Sequence, residues 1–226
     1  QFDGNGVLWF SAGVDDNNVV GWLDVKKFDA THDEQASQGW APIVIDTNGN
    51  GKRDPGWVEP KGGFDPAKDT RIAHGLYGVS PNPAVGSVWG SYMGFPGGIV
   101  RFDPKTQLSE NFEVPWNNPK AAVNGFSPRG SDISSDGVVW TVLSSGHLAS
   151  FDRRKCKGPL NGPAAATGKH CPEGWTLYQF PAPQFKGVTD PGSADHAYYL
   201  WVDRYNTLGL GPNVPIAEAN GSEALL

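Results

Sequence analysis

Three times along this chain, a short apolar run carrying a tryptophan is followed by the pair Phe-Asp. Val7-Leu8-Trp9-Phe10 precedes Phe28-Asp29, Ser87-Val88-Trp89-Gly90 precedes Phe102-Asp103, and Val138-Val139-Trp140-Thr141 precedes Phe151-Asp152. A fourth run, Tyr199-Leu200-Trp201-Val202, stands near the end without its Phe-Asp partner. A repeat at this spacing constrains the architecture before any single residue is read, because each copy must be one supersecondary unit packing on its neighbours.

Each copy reads as a meander of three or four short antiparallel strands. In the second, the runs at 86–92 and 98–103 flank Pro96-Gly97, which suits a type II turn: proline presets φ at the first central position and glycine takes φ > 0 at the second. A third run, Glu110 to Pro115, alternates apolar and polar residues. The third copy has Asp136-Gly137 as a hairpin signal, a strand from Val138 to Leu143, and a turn at Ser144-Ser145-Gly146. A strand from Leu148 to Asp152 follows and then, after an insertion, a run from Thr176 to Pro181. Trp9, Trp89, Trp140 and Trp201 are expected to pack between units, and Asp29, Asp103 and Asp152 to close turns by accepting backbone N–H bonds.

Composition supports an all-β chain. The 30 glycines and 19 prolines among 226 residues suit turns and disfavour helix interiors, and no stretch keeps a 3.6-residue apolar period over a helix length. The length fits one domain, residues 1–226. The net charge of −6, with no basic cluster beyond Arg153-Arg154-Lys155, argues against nucleic acid as a partner. No apolar run reaches transmembrane length.

The unit Pro-x-Gly, a polar stretch, Asp-Gly-x-Val-Trp and a later Phe-Asp resembles the repeats of the streptogramin lyase-like (virginiamycin B lyase-like) β-propellers. Pro128 to Thr141 carries the resemblance best, and Gly78 to Trp89 carries it more weakly. It implies a β-propeller, or part of one, built of short meander blades with long loop insertions at about 30–75 and 154–175. It implies six or seven blades, so four Trp runs lead to the expectation that the chain is part of a longer propeller. Lyases of that family use a histidine and glutamates with bound magnesium. His147 and His196 have no glutamate two residues away on the same strand face, so no catalytic residue is carried over.

The sharpest chemical motif is Asp46-Thr47-Asn48-Gly49-Asn50-Gly51-Lys52-Arg53-Asp54. Side-chain oxygens at positions 1, 3, 5 and 9, with glycine at 6, follow the spacing of EF-hand-like and dockerin-like calcium loops. Asp46, Asn48, Asn50 and Asp54 are the expected side-chain ligands and Lys52 the carbonyl ligand. Trp57 stands where an acid is expected at position 12, and Glu59 is the candidate replacement. The alternative is a polar Asn/Gly turn without an ion. Flanks that lack helical pairing point to a structural Ca2+ rather than a sensor.

Cys156 and Cys171, the chain's two cysteines, bracket a loop poor in core-forming residues and are expected to form a disulfide clip, which fits a secreted or periplasmic setting. A metal site with His170 lacks a fourth ligand at usable spacing. Three function classes remain. The first is a non-catalytic binding or scaffold subunit with protein partners in an extracellular or envelope complex. The second is a metal-assisted lyase of cyclic esters. The third is a carbohydrate-binding protein using tryptophans such as Trp40, Trp57 or Trp116.

Overall fold

The computed structural model describes residues 1–12, 19–223 and Leu225. The chain is all-β, with four sheets that follow one another in sequence order. The first is β1 (Val7–Ser11), β2 (Val19–Asp24) and β3 (Gln38–Pro42), an antiparallel meander. The second is built on the meander β7 (Gly78–Pro81), β8 (Val88–Tyr92), β9 (Gly98–Phe102) and β10 (Ser109–Glu113), again antiparallel, with β7 at its edge. Three very short strands extend it: β4 (Val44–Ile45) lies parallel to β10, β6 (Asp69–Arg71) antiparallel to β4, and β5 (Trp57–Val58) parallel to β6. The third is β11 (Pro128–Ile133), β12 (Val139–Leu143), β13 (His147–Phe151) and β14 (Trp175–Gln179). The fourth pairs β15 (Leu200–Asp203) with β16 (Val214–Ala217).

Alternation along each strand decides how the sheets stack. In the second sheet Val88, Tyr92, Val100 and Phe102 face the first sheet, where they meet Trp9, Val20 and Ala41. The opposite face carries Trp89, Ile99 and Phe112, which meet Val139, Leu143, Ala149 and Phe151 of the third sheet. The other face of the third sheet places Val142, Trp140 and Leu148 against Leu200, Val202 and Ala217 of the fourth. The repeat therefore has a structural meaning. The repeat tryptophans Trp9, Trp89 and Trp140 each face the next sheet, and Phe102 and Phe151 each face the preceding one. Burying one such phenylalanine contributes about 1.5–3 kcal/mol.

The first strands of the sheets are neighbours: β1 with β7, β7 with β11, β11 with β15. Polar bonds fasten them. Ser11 Oγ donates to Leu76 O at 2.7 Å, Ser80 Oγ to Ser131 O at 2.9 Å, and the Val202 N–H to Asp132 Oδ2 at 2.9 Å. Gly130 is needed at one such contact, because a Cβ there would lie 2.6 Å from the Tyr198 carbonyl oxygen.

Several expectations are corrected. Phe28-Asp29 is not a strand end. It lies in a helix, α1 (Val25–Thr31), which starts because Asp24 accepts the Lys27 N–H. A second short helix, α2 (Glu34–Ser37), is capped in the same way by Asp33. Asp103 and Asp152 do close turns, accepting the Lys105 and Arg154 N–H groups, but Asp29 does not belong with them. Gly97 has the expected positive φ of 73°, and the Phe95–Pro96 peptide is cis. The stretch 30–75 is no mere loop, since it supplies β3 to β6. Trp201 is 44% exposed, unlike the buried Trp9 and Trp89.

Phe102→Ala should cost about 3–5 kcal/mol in urea unfolding, because Phe102 is enclosed between two sheets. Phe28→Ala, at a half-buried position on a largely exposed helix, should cost less than half as much. Equal losses would contradict this assignment of the repeat.

Candidate functional site

The Asp46 loop leaves the end of β4 and returns through β5 and β6. Asp46 is buried and organises the loop through its carboxylate: Oδ1 accepts the N–H groups of Gly49 (2.7 Å) and Asn50 (3.1 Å), and Oδ2 accepts that of Gly51 (2.8 Å). Asn48 Nδ2 donates to Asp54 Oδ2 at 2.6 Å, and Asn50 Nδ2 donates to Asp54 Oδ1 at 3.1 Å. The Lys52 N–H donates to Asn50 Oδ1 at 2.8 Å on the exposed rim. Asp46, Asn48, Asn50, Lys52 and Asp54 are thus brought together in one hydrogen-bonded loop.

Glu59 is not brought to them. Its side chain is 61% exposed and binds Arg71 Nη1 at 2.8 Å and Trp57 Nε1 at 2.9 Å. The Arg71 hydrogen bond holds its carboxyl below the usual range. The acid that does reach the loop is Asp69, at the start of β6, whose Oδ2 accepts the Asp54 N–H at 2.9 Å. Burial raises the Asp69 pKa, the Asp54 and Thr47 amides offset part of that rise, and the Asp54 and Asp46 charges add to it. Asp69 is carried to the loop by the pairing of β6 with β4, where Thr70 stands opposite Ile45, and spacing along the chain does not show this. Among the described residues no three His, Cys, Asp or Glu side chains converge into a ready-made metal-binding group. In this arrangement the Asn48 and Asn50 amides close over Asp54, and Asp46 is taken up by backbone donors.

Cys156 and Cys171 form the disulfide, with Cα atoms 5.1 Å apart, which removes the metal alternative with His170. The loop it closes is better packed than its composition implies. Cys171 and Ala165 are buried, and Leu160 packs on the core. The loop also touches the Asp46 loop: the Gly162 N–H donates to Asp46 O at 2.7 Å, and Asn161 Nδ2 to Asp46 Oδ2 at 3.0 Å. Gly168 O accepts the Glu113 N–H from β10 at 2.9 Å.

A pocket of about 290 Å3 opens beside the β12–β13 turn, lined by Trp116, Asn124, Phe126, Gln184, Phe185 and Asp190 among others. Phe95, Trp116 and Phe126 form one aromatic cluster, with ring centroids 4.7 to 5.7 Å apart. Of the other tryptophans singled out, Trp40 is 71% exposed on the outer face of the first sheet, and Trp57 lies under the Arg53 guanidinium, 5.2 Å from its carbon. A wider and more polar groove of about 700 Å3 runs between the N-terminal turn and Arg204-Tyr205.

His147 lies behind the smaller pocket. It is buried, its Nδ1 is 3.0 Å from Ser145 Oγ, and its Nε2 has no hydrogen-bond partner. Burial lowers its pKa. His196 packs against the Tyr198 ring, 5.5 Å away. No protein-family model matches the chain, and no curated protein matches it in sequence. The resemblance of its repeats therefore rests on their residues alone.

Because the folded pKa of His147 is depressed, the unfolded chain takes up that proton first. The neutral ring's contribution is fully present above about pH 6.5 and is lost as pH falls through the folded value. In urea unfolding, His147→Gln should have a flatter pH dependence than the wild type below about pH 6.5. Parallel profiles would contradict this.

Proposed function

We propose that the chain is a non-catalytic binding or scaffold module of the cell exterior, built as consecutive blades of a β-propeller and stabilised by calcium and the Cys156–Cys171 disulfide. The stacking supports the propeller reading: successive meanders pack face to face and their first strands adjoin. So does the resemblance of the repeats to streptogramin lyase-like propellers. The disulfide supports an oxidising compartment. Among the described residues no helix is long and apolar enough to cross a membrane.

One observation carries the binding reading. Both outer faces of the stack are aromatic and exposed. On the first sheet Phe10, Gly21 and Trp40 lie across from one another on one face, with Phe10 and Trp40 exposed. On the fourth, Trp201 occupies the position from which the earlier tryptophans contact a following sheet, and Tyr205, just beyond, is 87% exposed. Apolar surface of this kind marks interaction sites, and the natural partner is a protein surface that continues the stack. The paired substitutions Trp40→Arg and Trp201→Arg should leave the circular dichroism spectrum unchanged. They should also lower the yield of cross-linked partner from the protein's own source at least about tenfold. Undiminished cross-linking would contradict the reading.

The pocket at Trp116 favours a second reading, carbohydrate binding. Aromatic faces beside Asn124, Gln184 and Asp190 offer a sugar both stacking and hydrogen bonds. Titration with an oligosaccharide panel should shift the wild-type tryptophan fluorescence, and Trp116→Ala should weaken the response at least about tenfold. A wild-type protein silent across the panel would contradict it.

A further inference from the structure

Among the described residues, Asp69 is the acid near the Asp46 loop with an unanswered oxygen. The residue is 0% exposed, and its Oδ1 is buried with no hydrogen-bond partner, while Oδ2 is held by the Asp54 N–H. A buried ionised oxygen without a partner is costly, so the position calls for a cation or a proton. Thr47 fixes where the carboxylate lies. Its Oγ1 donates to Lys68 O at 2.7 Å and lies 3.0 Å from Thr70 Oγ1, so both chain neighbours of Asp69 are fastened to the residue that follows Asp46. Asp69 is therefore held against the Asp46 loop, where its Oδ2 meets the Asp54 N–H.

The donors around Asp54 fit the same occupant. Asn48 Oδ1 accepts the Asn50 N–H at 3.0 Å and Asn50 Oδ1 accepts the Lys52 N–H at 2.8 Å, and each amide oxygen keeps a second lone pair for a cation. Oxygen donors of this kind are what calcium takes. Glu59 is committed elsewhere, to Arg71 and Trp57.

We infer that Asp69 is the closing carboxylate of a calcium site whose other ligands come from Asp46, Asn48, Asn50, Asp54 and the Lys52 carbonyl. The inference rests on the calcium reading of the loop and replaces its candidate last ligand, Glu59. It has a structural consequence. Asp46 also holds the disulfide loop through Asn161 and Gly162, and that loop is bonded to β10. An ion at Asp46 thus fastens the loop of the third sheet to the second sheet.

The test is calcium calorimetry on the whole chain, freed of metal and titrated with calcium chloride to about 1 mM. The wild type should take up calcium. Asp69→Asn, which keeps the side-chain shape, should bind at least about tenfold more weakly, and Glu59→Gln should stay within about twofold of the wild type. Hydrogen–deuterium exchange on the wild type gives an answer that depends on no variant's folding. Calcium should slow exchange at 46–54, at the start of β6 and at Gly162, and leave 57–60 unchanged. No uptake by the wild type would overturn the calcium reading and this inference with it. Uptake by Asp69→Asn equal to the wild type, or protection at 57–60 in place of β6, would overturn this inference alone.

Discussion

The fold depends on aromatic side chains shared between sheets of short strands. Such a sheet is too small to bury its own apolar surface, so each face must be covered by a neighbour. The contact between the second and third sheets is the densest case. The Phe112 and Phe151 rings lie 4.5 Å apart, Trp89 reaches both, and Trp175 packs on Phe151 at 5.1 Å. The alternation that sends Trp89 one way and Phe102 the other makes a single sheet serve two interfaces. The outer faces follow from the same rule, since Trp40 and Trp201 stand where a covering sheet would lie.

The two loop devices reinforce that interface from its rim. The disulfide closes a loop on the third sheet, and this loop bonds both to β10 and to Asp46 of the second. Its physical role is thus broader than shortening an unfolded chain: it is the strap to which the Asp46 loop is tied. A charge at Asp69 that lacks a partner would weaken this corner, whereas a calcium ion there would stiffen it. Loops keep a fixed shape only when the frame beneath them is fixed.

Much of this was legible in the sequence where alternation and turn chemistry agreed. Asp136-Gly137 and Ser144-Ser145-Gly146 mark the turns around β12, and Val138 to Phe151 forms the hairpin they imply. The disulfide was legible from two cysteines flanking one loop. Other features were hidden for physical reasons. Phe28-Asp29 looks like its relatives, but Asp24 caps a helix just before it. β4 and β5 have two residues each, too few to show a period. Glu59 is near the loop in sequence but is captured by Arg71, whereas Asp69 is distant in sequence and arrives through strand pairing. Trp201 matches the other tryptophans in its run, but among the described residues no sheet packs on it and it is partly exposed.

The claim that shared aromatics hold the sheets together is tested most directly by a double-mutant cycle on Phe112 and Phe151, read by urea unfolding. The two residues belong to different sheets, and their rings touch. Each single alanine variant should be destabilised, and the double variant should lose less than the sum, with a coupling of roughly 0.5–1.5 kcal/mol. Strict additivity, or unfolding in two separate transitions in the wild type, would mean that the sheets stand independently and would contradict the account.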